Sequence, residues 1–146
     1  MNTLLLSFAT LLSIMINGIT PAPQALDSWT VRLNKKTLLS ATKEDETANI
    51  RKLSFSDWKT ADSLTISYKE MSPKKQWERS IFLCDEDDNE LLRKDENTKA
   101  SFSQEEVKKA FAGKKFIRIF TTVSPSDPEL AARVRIRRVH LCTIEL

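Results

Sequence analysis

Apolar and polar side chains alternate along much of this chain in short runs broken by turn residues, which predicts strands rather than helices. Trp29-Thr30-Val31-Arg32-Leu33 alternates, Asn34-Lys35 interrupts, and Thr37-Leu38-Leu39-Ser40 resumes. This is the signature of a hairpin, with Asn34 supplying the positive-φ turn position. Residues 48–55 give a third strand of weaker periodicity, and residues 57–62 a turn or short helix. The cleanest alternation is Leu64-Thr65-Ile66-Ser67-Tyr68-Lys69, which places Leu64, Ile66 and Tyr68 inward. Residues 77–84 and 91–94 flank an acidic run at 85–90 and read as a second hairpin with an acidic tip.

One helix is expected, over about residues 104–112. Ser103 and Glu106 have capping-box spacing, Val107, Ala110 and Phe111 form one apolar stripe, Lys108 and Lys109 sit near its end, and Gly113 stands where a C′ residue belongs. Residues 116–123 follow, apolar on both faces over Phe116, Ile117, Ile119 and Phe120, and so predict a central strand. A Pro-flanked loop and a turn of helix near residues 129–131 lead to a last strand over 134–144. About eight short strands and one short helix make a mainly β fold, a β-sandwich or Greek-key-like barrel. A βαβ architecture would need more helices.

The start of the chain departs from this pattern. Residues 4–16 carry no charge, a length that suits the apolar region of a signal peptide and falls short of the ~20 apolar residues that cross a bilayer. The expectation is a leader over residues 1–25, cleaved near 22–25, and a single exported domain over 26–146, secreted or periplasmic, with no integral membrane segment. In an oxidising compartment Cys84 and Cys142 are candidates for one disulfide, the alternative being two buried thiols.

Composition removes several classes of function. The 146 residues include two glycines, Gly18 and Gly113, and one histidine, His140, so a Gly-rich phosphate loop, a dinucleotide fingerprint, a nucleophile elbow and a multi-histidine zinc site cannot be built. His140 and Cys142 lie two apart and are expected to share a strand face, their Cβ atoms roughly 6–7 Å apart by strand rise. That separation is too great for a direct hydrogen bond, and no catalytic residue is assigned. A small extracytoplasmic enzyme or redox protein using His140, Cys142 or Cys84 stays as the alternative from a different class. Asp85, Asp87, Asp88 and Glu90 offer oxygen ligands adequate for Ca²⁺, but without EF-hand spacing or its glycine, so neither metal nor cofactor is expected.

The net charge of +3 is concentrated toward the C-terminus. On an extended strand Arg133, Arg135 and Arg137 project from one face opposite Val134 and Ile136, and Arg138 breaks the alternation as a bulge would. Adjacent guanidinium groups repel unless an anion meets them, which points to a ridge for an acidic polysaccharide, a phosphate-bearing head group or an acidic protein face. The competing reading pairs them with cross-strand acids such as Glu78 or Glu90. Trp58, in a polar turn context, is the tryptophan expected at the surface for stacking on a ligand, while Trp29 and Trp77 occupy core-like positions. No aromatic platform interleaves the arginines, so nucleic acid is not an expected partner. The expected function is a non-catalytic binding or interaction module for an anionic glycan or a protein, with a structural role in an envelope assembly as a further alternative.

Overall fold

A computed structural model describes residues 26–95 and 98–146; the expected leader over residues 1–25 lies outside the described residues. Nine strands form two sheets packed face to face, the sandwich that the alternation predicts. The strands are β1 (Ser28–Leu33), β2 (Lys36–Ala41), β3 (Ile50–Lys52), β4 (Ser63–Lys69), β5 (Trp77–Cys84), β6 (Glu90–Asp95), β7 (Lys99–Ser103), β8 (Phe116–Pro125) and β9 (Val139–Glu145). One sheet runs β2-β1-β4-β7 and the other β3-β9-β8-β5-β6. All neighbours are antiparallel except β3 and β9.

Local chemistry accounts for the turns and caps. Asn34 takes φ 55° at the first hairpin, and its side-chain oxygen accepts from the amides of Asp62 (2.6 Å) and Ser63 (3.0 Å), which pins β4 beside β1. The helix α2 (Gln104–Phe111) begins at the reciprocal Ser103–Glu106 capping box and turns Val107, Ala110 and Phe111 into the core. Gly113 follows it with φ +71°. Two single-turn helices form near the positions where a turn or short helix is expected: α1 (Phe55–Lys59), capped by Ser54, and α3 (Pro128–Arg133), capped by Asp127 with Pro128 at its first position.

The core lies between the sheets. Leu64, Ile66 and Tyr68 face inward from β4 as expected, opposite Ile81 and Leu83 of β5 and Ile117 and Ile119 of β8. The strand β8 is central and buried on both faces, because Phe120 turns outward to join Phe82 and Cys84 in a second, smaller apolar cluster on the outer face. Trp29 crosses the gap between the sheets, its indole N–H donating to the carbonyl of Leu141 at 2.9 Å.

Two expectations about the C-terminal region are corrected. The last strand starts at Val139, not at residue 134, and residues 134–138 belong to no strand. The irregularity in this part of the sheet is a bulge opposite Ile119 and Phe120, which pair with Cys142 and His140 across β8 and β9. Residues opposite each other in a ladder share a face, so the bulge sends Cys142 inward beside Ile119 and His140 outward beside Phe120. The two therefore do not share a face.

Candidate functional site

The sheets part at the end of the sandwich where β1 and β5 begin and β4 and β8 finish. There they leave a cleft of about 460 Å³. Its floor is built from Trp29, Tyr68 and Arg79, its walls from Trp77, Thr121 and Val123, and its rim from Lys74, Arg135 and Arg137, with Asp27 and Glu44 as the acidic members. A shallower extension of about 240 Å³ shares Asp27, Lys74, Trp77 and Arg79 and adds Glu70 and Ser72.

Arg79 is the unusual member. It occupies the inward parity of β5, in step with Ile81 and Leu83, and is only 8% exposed. A guanidinium at such a position must be paired. Glu70 accepts from its Nε (2.8 Å) and from one Nη2 hydrogen, and the Thr121 hydroxyl accepts from Nη1 (2.9 Å) and itself donates to the Ser80 carbonyl (2.8 Å). The guanidinium also lies flat on Tyr68, 3.7 Å from the ring centre. Five N–H groups project from a guanidinium. Three are engaged here, so two have no acceptor among the described residues.

Tyr68 stacks parallel to Trp29 at 5.8 Å and donates its hydroxyl to Asp27 at 2.9 Å. Burial, reinforced by that hydrogen bond, pushes its pKa up to about 12. The other oxygen of Asp27 accepts from the Met71 amide at 2.9 Å. At the rim, Glu44 accepts from the His140 amide (2.8 Å) and from Arg137. Burial alone raises the pKa of Glu44, but those two donors outweigh it and hold the carboxyl below its usual range. Lys74 stands 4.5 Å over the Trp77 ring. Neither Lys74 nor Arg135 has an ion-pair partner among the described residues.

The predicted site residues are thus divided. Arg135 and Arg137, two apart on the segment before β9, reach the same cleft. Arg138 instead turns to the outer face, where it pairs with Asp88 (3.0 Å) and lies 4.1 Å over Phe120, and Arg133 closes α3 in solvent. The four arginines therefore do not form one ridge: with no strand to align them, Arg135 and Arg137 share the cleft while Arg133 and Arg138 lie apart from it. The acids that meet them are Glu44 and Asp88, not Glu78 or Glu90; Glu90 pairs with Arg93 and Glu78 accepts from Ser126.

Trp58 is corrected as well. It is only 7% exposed, packed against Phe55 and Phe111, and lies away from the cleft, whereas Trp77 is half-buried in the cleft wall. The acidic tip serves its own turn. Asp85 is buried and accepts from the amides of Asp87 (3.0 Å) and Asn89 (2.9 Å) and from the Lys114 ammonium (3.0 Å). Burial alone raises its pKa, yet these donors together hold the carboxyl at about 2. Asp88 spans Arg118 and Arg138, and Glu90 is engaged by Arg93, so among the described residues Asp85, Asp87, Asp88 and Glu90 do not converge on a metal position.

The cysteines are unbridged. Cys84 pairs across β5 and β8 with Arg118 on the outer face, while Cys142 faces the core from β9, on the far side of β8. Two strand spacings, about 10 Å, and opposite faces separate them, beyond the reach of a disulfide. Burial pushes both thiols up, that of Cys142 to about 12. His140 is buried beside Phe120, its Nε2 2.8 Å from the Thr143 hydroxyl, and burial lowers its pKa. No helix among the described residues is long and apolar enough to cross a membrane.

Arg79, Lys74, Tyr68 and Glu44 also line the cleft, although none stands out in the sequence as a site residue. Arg79 carried a usable signal: it is a charge at the inward parity of a strand whose other inward residues are apolar. No family model, curated protein or solved structure matches this chain.

Proposed function

We propose that this protein is an exported, non-catalytic binding module that holds an anionic sugar unit of a glycan in the cleft between its sheets. The observation that carries this reading is Arg79, a nine-tenths-buried guanidinium with two uncommitted N–H groups lining a cleft whose rim adds Lys74, Arg135 and Arg137. Carboxylate and sulfate groups match that donor geometry. Trp77 supplies an apolar wall against which the C–H face of a sugar ring can pack, and Asp27 and Glu44 supply acceptors for hydroxyls. The volume of about 460 Å³ suits one or two sugar rings.

The glycan is favoured over an acidic protein face because the guanidinium that defines the site lies inside a concavity, out of reach of a flat surface. Export is part of the proposal and rests on the apolar, uncharged leader. Binding rather than catalysis is favoured because the two thiols are buried with raised pKa values and the sole histidine lies on the outer face, away from the cleft.

Retention of the domain over residues 26–146 on immobilised heparin tests this. The wild type is expected to be retained and an Arg135→Glu/Arg137→Glu variant to elute at markedly lower salt. Equal elution of the two would overturn the assignment of the rim.

A further inference from the structure

A second concavity, of about 450 Å³, lies at the opposite end of the sandwich, between α1 and the C-terminal end of α2. Its floor is Phe55, Trp58, Phe111 and Leu146. Phe55 is 61% exposed, a large apolar residue left in solvent although its ring packs edge-on against Trp58 at 5.0 Å. The rim is cationic throughout: Lys59, Lys108 and Lys114. No side chain in the lining accepts a hydrogen bond, and none carries a negative charge. Lys114 is held by Asp85, which leaves Lys59 and Lys108 without ion pairs among the described residues. The Lys59 ammonium stands 5.0 Å over the Phe55 ring.

We propose that this groove binds a single-chain aliphatic carboxylate, a fatty acid in its anionic form. The aliphatic chain covers Phe55, Trp58, Phe111 and Leu146, and the carboxylate rests between the Lys59 and Lys108 ammonium groups. Charge complementarity selects an anion over a cation of the same length. The apolar floor of Phe55, Trp58, Phe111 and Leu146 suits an aliphatic body. The volume lies within the range of small-molecule sites. This inference does not depend on the glycan cleft, which is at the other end of the molecule and shares no lining residue with the groove.

Calorimetric titration of the domain over residues 26–146 with sodium dodecanoate, below its micellar concentration and near neutral pH, tests the proposal. Dodecyltrimethylammonium and butanoate serve as the charge and chain-length controls. Saturable binding of dodecanoate is expected, with both controls at least about tenfold weaker. A Lys59→Glu/Lys108→Glu variant is expected to weaken dodecanoate at least about tenfold, while the same charge change in the exposed hairpin, Lys35→Glu/Lys36→Glu, leaves it unchanged. The lysines are exposed, so neither variant puts folding at risk. No binding of dodecanoate, equal affinity for the ammonium surfactant or for butanoate, or equal losses in the two variants would each overturn it.

Discussion

The guanidinium of Arg79 lies 3.7 Å from the centre of the Tyr68 ring, joining a strand of one sheet to a strand of the other where the sandwich opens. Around this contact Glu70, Thr121 and Asp27 complete a polar network inside an otherwise apolar interior. The network closes the end of the core and places Arg79 in the lining of the cleft.

Replacing Arg79 by Met leaves the Glu70 carboxylate largely buried without its partner. The expected cost is about 3 kcal/mol, a fall of about 10 °C in Tm, with less loss when Glu70→Leu is added. Thermal unfolding of the two single variants and the double variant measures the coupling. Additive losses would mean that the pair is not energetically linked.

Tyr68 is the only tyrosine in the chain, so its ionisation can be read directly from tyrosinate absorbance. A midpoint near 12 is expected. In Asp27→Ala the midpoint falls but stays above the usual 10, since burial remains the larger cause. The folded value is raised above the unfolded one, so the associated stability is complete below pH 10 and is lost as pH rises toward 12. A wild-type midpoint at 10 would show Tyr68 to be solvated.

Asp85 works in the opposite direction. Its folded pKa of about 2 lies below the ordinary carboxylate value, so its contribution is present above pH 4 and is lost as pH falls toward 2. Denaturant unfolding across this range should show stability falling with acid in the wild type and a flatter dependence in Asp85→Asn. Identical pH profiles for the two proteins would contradict the role given to the turn.

Both cysteines should remain thiols after exposure to an oxidising buffer. Reaction with a thiol reagent is expected to be negligible in the native protein and to give two equivalents on unfolding, because Cys84 and Cys142 are buried on opposite faces of one sheet. Finding no titratable thiol in the unfolded chain would instead require a bridge.

What could be read from the sequence was whatever depends on local chemistry. The Asn34 turn, the inward set Leu64, Ile66 and Tyr68, the Ser103–Glu106 box and the two-sided burial of β8 all follow from neighbouring residues and occur as expected. The failures depend on distant partners. Residues 134–138 have strand-like alternation, but no neighbouring strand takes up their backbone hydrogen bonds, so strand pairing starts only at Val139. One bulge opposite Ile119 and Phe120 reverses the relation of His140 to Cys142, and periodicity alone does not report such an insertion. Trp58 has polar neighbours in sequence, yet it sits on the buried side of α1, against Phe111 of α2. Of the candidate site, Arg135 and Arg137 were legible from charge and Arg79 as a charge at the inward parity of β5, but the partners that make a cleft around Arg79 come from distant strands.

On the proposed reading the anion meets Arg79 inside the cleft and not the exposed arginines elsewhere. Nuclear magnetic resonance of the Arg79 Nε–H and the Trp77 indole N–H during titration with a heparin-derived tetrasaccharide tests it most directly. Both resonances are expected to shift together and saturate, while those of Arg93, Arg118 and Arg138 on the outer face stay in place. Shifts confined to the outer-face arginines, with Arg79 and Trp77 unmoved, would contradict it.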